Sequence, residues 1–343
     1  MLDIISGGRV EFGIGRGFQP RESETFGYLL GSSVQDQELN RAYYQEAYEV
    51  IIKAWTQPSF SHHGQFFSLP PVHTRWNHHS TLAYFSRPEA GRRLDEAMQL
   101  GDPDPFGGPV PVMQSSTVLR ELQVFPQPLQ KPHPQMWEPL LSERSVRWAA
   151  RHGLNGFFFV ETLARLKKFI ATYFEEAEKR GWPDRLNRGR IKFGWDADKR
   201  RGILPGRFIH LLLPGMDRER ELKRYKEALS ILWDYFVPFG IPMLMVDEGE
   251  KEPQGKSGPD RLLEKEIAIF GTPDEVVATL MRLKETVGYD DFIVNVGFEA
   301  HGYEGREIEE QMQFFAEEVR PILARACGGQ VKNPELGVAL PDG

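Results

Sequence analysis

From residue 134 onward the chain repeats one pattern, a short apolar run followed by a cap and then by apolar residues spaced three and four apart. The runs at residues 136–138, 156–160, 207–213 and 292–296 predict strands. Helices are predicted between them: from Ser142 to a stop at Gly153, then over residues 163–180, 219–236 and 273–287, with a last one at 307–326. The strongest start signal is at Thr272, with Pro273 at the first helical position and Glu275 three residues after the cap; Gly288 supplies the stop. Upstream, residues 10–14 predict a short buried strand. Residues 36–55 predict a helix whose apolar face is Leu39, Tyr43, Ala47, Val50, Ile51 and Ala54. Strands that alternate with helices pair in parallel through right-handed crossovers. Five such strands fit either a closed (β/α)8 barrel or an open doubly wound sheet, and counting does not choose.

Leu2-Asp3-Ile4-Ile5-Ser6-Gly7-Gly8-Arg9 resembles the last turn of a helix and its glycine stop. The strand after it runs into Gly13-Ile14-Gly15-Arg16-Gly17. A dinucleotide fingerprint needs a further Gly three residues beyond Gly15, and Phe18 stands there. A glycine loop at a strand end still lets backbone N–H groups approach an anion, and Arg16 adds a fixed positive charge that suits phosphate. A plain turn with a solvated Arg explains the same residues and, taken alone, is the simpler account. Arg41 sits at a helix start, where a cation is unfavourable unless an anion is near. Ser142 and Ser145 stand at a helix N-terminus just after a strand, a common phosphate geometry, although simple capping is the commoner role of one serine.

Other chemistry is excluded or left without support. A formal charge of −7 gives no general attraction to nucleic acid, and no apolar run approaches the roughly 20 residues that span a bilayer. Cys327 is the single cysteine, so neither an intramolecular disulfide nor a thiolate zinc cluster forms; no leader pattern opens the chain, and a reducing cytoplasm is the default expectation. His62-His63 and His78-His79 lack metal-ligand spacing and are expected to be exposed loop residues; no metal is expected. No Gly-x-Ser-x-Gly elbow is present, and Gly255-Lys256-Ser257 lacks the upstream glycine of a P-loop. Trp137, Trp148, Phe157 and Phe159 suit either the wall of a flat cofactor or ordinary core. Residues 56–72 predict turns with a short hairpin, and residues 73–122 an insertion with one helix around 92–100. Residues 248–260 predict a polar loop and residues 327–343 a disordered tail.

The segment Phe12-Gly13-Ile14-Gly15-Arg16-Gly17, followed by Glu24-Thr25-Phe26-Gly27, Arg41, Gly64-Gln65-Phe66-Phe67 and Pro128-Leu129-Gln130-Lys131-Pro132-His133-Pro134, resembles the bacterial luciferase-like flavin-dependent monooxygenase family. Ser142 to Gly153 and Gly271-Thr272-Pro273-Asp274-Glu275-Val276 complete the series. The resemblance covers roughly residues 2–72, 124–160 and 267–323.

It implies a (β/α)8 TIM barrel over residues 1–326, with flavin at the carboxyl ends of the strands. It matches Arg16 to the family's phosphate-binding Arg, Arg41 to a second basic residue near the phosphate, and Ser142 and Ser145 to hydroxyl positions after the fifth strand. Gly15 and Gly17 frame the loop. Leu141 stands where the luciferases carry an acidic residue. The match begins just before the fourth strand, so the first three strand–helix units, which hold the family's catalytic His, have no counterpart; the expectation is an incomplete barrel from a truncated or misannotated reading frame. The implied activity is oxidation of a small organic substrate with O2 and reduced FMN from a separate flavin reductase, in a homodimer. Two alternatives are a deazaflavin-dependent hydride-transfer enzyme and a non-catalytic flavin-binding or partner subunit.

Overall fold

The computed structural model describes residues 1–17, 25, 37–71, 98–100, 117–119, 121–180, 203–237, 240, 245–250, 258–288, 294–298 and 300–326. In chain order its elements are helix α1 (Leu2–Ile5), strand β1 (Glu11–Gly13), α2 (Glu38–Thr56), β2 (His62–His63), β3 (Ser68–Leu69), β4 (Met98–Leu100), β5 (Thr117–Leu119), β6 (Gln135–Pro139), α3 (Glu143–His152) and β7 (Asn155–Phe158). They continue as α4 (Leu163–Lys179), β8 (Ile203–Leu211), α5 (Arg218–Phe236), α6 (Gly258–Glu264), β9 (Ala268–Gly271), α7 (Pro273–Val287), β10 (Asn295–Gly297), α8 (Gly305–Phe314), a π-helical turn (Phe315–Val319) and α9 (Arg320–Ala326). Two compact units result, Arg16–His133 and Leu2–Gly15 with Pro134–Gly343.

In the first unit α2 turns Asn40, Tyr44 and Tyr48 inward. The expected apolar face is therefore displaced by one residue, and Leu39 is 38% exposed. The tyrosines supply more apolar area than the aliphatic residues beside them, so the hydrophobic stripe follows them. β2 and β3 form the expected hairpin. β4 pairs antiparallel with β5, so residues 98–100 are strand where a helix was expected; a three-residue pairing is too short to leave a periodic signal. The amide of Gln127 donates to the carbonyls of Ala54 at 3.1 Å and Val124 at 2.8 Å, tying the end of α2 to the later loop.

The second unit carries a curled sheet in the order β1-β6-β7-β8-β10, with β9 also on β8, and every pairing is parallel. Phe208 is matched to both Ala268 and Gly297, so β9 and β10 flank opposite sides of β8. This is an α/β half-barrel sheet with six strands among the described residues, where five were expected. β1 is not buried, because it lies at the sheet edge with β6 as its one partner among the described residues.

Register assigns the faces, since alternate residues along a strand point to opposite sides. One face carries Met136, Phe158, Ile203, Ile209 and Leu211, all buried, and Phe158 packs on Phe169 of α4 with ring centroids 6.0 Å apart. The other, concave face carries Glu11, Gly13, Trp137, Phe157, Gly206, Phe208, His210 and Phe270. Toward its carboxyl end α5 and α6 close over it, and Phe159, Phe208 and Phe270 pack against Tyr225, Leu229 and Leu262.

Local signals place most helices. Ser142 caps α3 and Thr272 caps α7, and both helices end on glycines at φ 72° and 73°, a left-handed turn that other residues resist. Several boundaries depart from expectation. β8 begins at Ile203, not 207, because Pro205 and Gly206 sit inside it: Pro205 is matched to the last residue of β7, and the volume above Gly206 is filled by the Phe159 ring. β8 also ends at Leu211. α6 occupies the end of the expected polar loop, and β9 is a four-residue run directly before a helix cap, too short to register by pattern. β10 is residues 295–297, and the last helix starts at Gly305 and passes through the π turn. Glu24, Phe26 and Gly27 of the second motif, His78-His79, residues 92–97, Gly181-Trp182-Pro183, Gly255-Lys256-Ser257 and the tail with Cys327 lie outside the described residues.

A buried charge pair braces the end of β7 against β8. Glu161 is fully buried, and Arg207, 1% exposed, donates from its guanidinium to the Glu161 carbonyl at 3.2 Å and the Gly206 carbonyl at 2.7 Å. Burial pushes the Glu161 carboxyl up to about 7 against the pull of Arg207, and it lowers Arg207 to about 10.

Two outcomes follow from this packing. In Gly206→Ala the new Cβ lies 2.2 Å from Cδ2 of Phe159, so the urea midpoint should fall by the equivalent of about 1–3 kcal/mol with an unchanged slope. A midpoint within error of wild type would show that the ring yields freely. For Glu161 the native state holds a proton that the unfolded chain releases above 4.5, so its contribution to stability declines as pH rises from 4.5 to about 7. Glu161→Gln removes that decline: its stability relative to wild type should climb across the window, whereas a pH-independent difference would mean the carboxyl is not raised.

Candidate functional site

The strand β1 leads through Ile14, whose N–H donates to the Trp137 carbonyl at 2.8 Å, into Gly15. A Cβ on Gly15 would lie 3.4 Å from Cγ of Pro139, so the glycine lets this loop lie close against the end of β6. Two residues further along from Pro139, Leu141 is partly buried, and Ser142 opens α3. The Ser142 hydroxyl accepts the Ser145 N–H at 3.2 Å, the Ser145 hydroxyl accepts the Ser142 N–H at 3.2 Å, and the two oxygens are 3.0 Å apart. The structure therefore brings the two serines together, as a reciprocal capping box. Their hydroxyls answer the unpaired donors of the helix start, and an incoming anion would exchange partners with them.

In the first unit Gly17 has φ 67°, and its carbonyl accepts from the Asn40 amide at 3.4 Å. This sets the loop carrying Arg16 and Gly17 beside the first turn of α2, the turn that carries Arg41. Arg16 and Arg41 are both half-buried residues. The six expected residues thus divide into a cationic set, Arg16, Gly17 and Arg41, in one unit and a glycine–serine set, Gly15, Ser142 and Ser145, in the other.

The Gly64-Gln65-Phe66-Phe67 motif has a structural function. Glu46 of α2 accepts the N–H groups of Gln65 at 2.9 Å, Phe66 at 3.1 Å and Phe67 at 2.8 Å, and meets Nε2 of His62 at 3.1 Å. Burial tends to raise its carboxyl, but the bonds from Phe67, Phe66, His62 and Gln65 together hold it below the ordinary value. Gly64 is required because a Cβ there would fall 2.2 Å from the carboxylate. His62 is therefore not an exposed loop histidine: it is buried in β2 against this carboxylate, while His63 is exposed.

Sequence reasoning missed a second cluster, at the carboxyl end of β8. Nε2 of His210 lies 2.8 Å from Glu221, the Tyr303 hydroxyl donates to the same carboxylate oxygen at 2.9 Å, and the His210 ring stacks on Tyr225 with centroids 4.8 Å apart. Burial lowers the His210 ring below its usual value against the pull of Glu221. Arg224 lies 3.8 Å over the Tyr303 ring and holds Glu307 down to about 2. The cluster clasps β8, α5 and α8 together; His210 alone in an apolar run carried no sequence signal for it. Among the described residues no group of three His, Cys, Asp or Glu side chains is placed to hold a metal ion, and no described helix is long and apolar enough to cross a membrane.

Aromatic side chains line the concave face at mid-sheet. Trp137 and Phe157 remain partly exposed there, and Phe157 contacts Phe159 with centroids 5.6 Å apart. Trp148 is instead on α3, stacked on His152, away from this face.

Comparison with known proteins places these features. Residues 1–88 match the model of the luciferase-like monooxygenase family. Two uncharacterised proteins of Sinorhizobium fredii strain NBRC 101917 / NGR234 are similar in sequence. One, y4vJ, is 29% identical over 71 residues, which are 21% of this chain and 18% of that protein; the other, y4wF, is 28% identical over 155 residues, 45% of this chain and 29% of that protein. The matched segments thus span less than a third of these relatives. Among solved structures, the monooxygenase RslO1 of Streptomyces bottropensis aligns with TM-score 0.54 at 18% identity, over 94% of this chain and 71% of that one. The oxygenating constituent of 3,6-diketocamphane monooxygenase from Pseudomonas putida, solved with FMN, aligns with TM-score 0.56 at 17% identity, over 93% and 73%. An F420-dependent secondary alcohol dehydrogenase aligns with TM-score 0.52 at 12% identity, over 94% and 72%. The chain has the luciferase-like barrel fold in incomplete form, and its residues 1–88 carry the sequence pattern of the luciferase-like monooxygenases.

Proposed function

We propose that the chain is a luciferase-like flavin-dependent oxidoreductase, a monooxygenase that oxidises a small organic substrate with O2 and reduced FMN from a separate flavin reductase. The observation that carries the reading is the family match over residues 1–88, the segment that holds Gly15, Arg16, Gly17 and Arg41. The residues present fit the cofactor chemically. Two guanidinium groups near one loop suit a phosphate dianion, the capped start of α3 offers Ser142 and Ser145 beside a helix N-terminus, and the concave face offers Trp137 and Phe157 to a flat ring.

Bound reduced flavin supplies the reaction with O2, and the protein's part is to hold and shield it. Arg16 and Arg41 answer the charge of the phosphate and Gly17 leaves their loop free of a side chain; in the other unit, Gly15 leaves the strand end bare and the hydroxyls of Ser142 and Ser145 offer hydrogen bonds at a helix start. The aromatic face excludes water from the ring. A homodimer and a cytoplasmic location belong to the same reading. Hydride transfer with a deazaflavin is a second reading, favoured by the fold similarity to the F420-dependent alcohol dehydrogenase. A third is a non-catalytic flavin-binding or partner subunit.

Titration with FMN tests the assignment. Arg16→Ala should weaken FMN by about 1.5–3 kcal/mol, the usual value of a hydrogen bond to a charged group, and leave riboflavin, which lacks the phosphate, unchanged. Equal FMN affinity in variant and wild type would remove Arg16 from the site. Transfer of labelled oxygen from O2 into an added organic substrate in the presence of reduced FMN, beyond what free reduced FMN gives alone, separates the monooxygenase from both alternatives.

A further inference from the structure

Two buried amides on the concave face are at odds with the packing around them. Gln135 opens β6 and Asn155 opens β7, and the two residues are 1% and 0% exposed. Asn155 is matched to Trp137, two residues after Gln135, so both amides stand on the concave face at its amino-terminal end. Ser142 and Ser145 follow the opposite, carboxyl end of β6. Inward positions of a (β/α)8 barrel are ordinarily filled by Val, Ile and Leu, and an amide in such a place requires a partner.

The protein does not supply one. Among the described residues, Oε1 of Gln135 and both Oδ1 and Nδ2 of Asn155 have no hydrogen-bond partner. The chain on either side of both residues is described, from residue 121 to residue 180. Polar groups of neighbouring positions are spent elsewhere: the indole N–H of Trp137 donates to Oε2 of Glu11 at 2.6 Å, and the Tyr173 hydroxyl donates to the Leu154 carbonyl at 2.6 Å. A buried polar atom left unpaired costs as much as a lost hydrogen bond, and three such atoms stand on two adjacent strands.

Geometry and charge restrict what answers them. A strand spacing of about 4.8 Å and a rise of about 3.3 Å per residue put the Cα atoms of Gln135 and Asn155 about 8 Å apart. Their amides do not bond directly, and a single atom making two hydrogen bonds of about 2.9 Å each spans the interval that is left. Both groups are neutral, and together they present acceptors and a donor. An ion would suit one dipole and oppose the other, whereas a neutral molecule that both donates and accepts suits them all. Complete enclosure keeps that molecule small.

We propose that Gln135 and Asn155 form a binding site for an internal water, which accepts from Nδ2 of Asn155, donates to Oε1 of Gln135 and ties the start of β6 to the start of β7. Buried waters of this kind make about three hydrogen bonds to polar groups that are otherwise unsatisfied. The site is independent of the flavin reading, since nothing in it calls for a cofactor.

A crystal structure of the full chain tests the site directly. The expected result is an ordered water within hydrogen-bond distance of both amides. Either amide paired with a protein group instead, or no water between them, overturns the proposal. A urea double-mutant cycle tests the coupling that a shared water imposes. Gln135→Leu and Asn155→Leu should each lower the midpoint, because each leaves the other amide without its guest, and the double variant should lower it by less than the two shifts summed. Single variants that raise the midpoint, as removal of an unsatisfied amide does, or shifts that simply add, overturn the shared water. The crystallographic result uses the wild-type chain alone and decides the question even if the leucine variants do not fold.

Discussion

A parallel sheet obliges the rest of this protein to exist. Each parallel strand needs a crossover to return the chain to the same end, and both faces of the sheet must be covered, because neither edge-to-edge hairpins nor a solvated face is available to it. α3, α4 and α7 meet this demand on the convex side. On the concave side α5 and α6 close over the carboxyl end with Tyr225, Leu229 and Leu262, and the remainder, around Trp137 and Phe157, stays partly exposed.

Polar groups do a second kind of work, joining elements that apolar packing leaves only adjacent. The Glu161–Arg207 pair braces β7 to β8, Glu176 draws Arg147 and Arg151 of α3 onto α4 at 2.7 and 2.9 Å, and the His210–Glu221–Tyr303 cluster fastens β8 to α5. Removing one member of such a buried set leaves the other unsatisfied, which costs far more than the set contributes when complete. These clusters therefore define which contacts are tolerated rather than how stable the protein is.

Much of this architecture was legible before any coordinates. The caps at Ser142 and Thr272, the glycine stops and the strand–helix alternation are local signals, and they placed α3, α4, α5 and α7 within one or two residues. What escaped was long-range. β9 is strand because β8 lies beside it, Pro205 is tolerated because β7 ends opposite it, and His62 is buried because Glu46 reaches it from sixteen residues upstream. The candidate site could be named from the sequence by residue type alone. Arg16, Arg41, Ser142 and Ser145 are anion-suited by residue type and by position at loop and helix ends. The pairing of Glu11 with Trp137, 126 residues apart in sequence, exists only once β1 and β6 are in register.

The Glu46 carboxylate, held by three successive backbone N–H groups and a histidine, behaves as a bound anion that can never dissociate. The hairpin has supplied its own counter-ion, and those donors are spent. An outside anion would find none of these donors unspent. The middle of the helix is thus committed to the fold, a constraint imposed by a single glutamate.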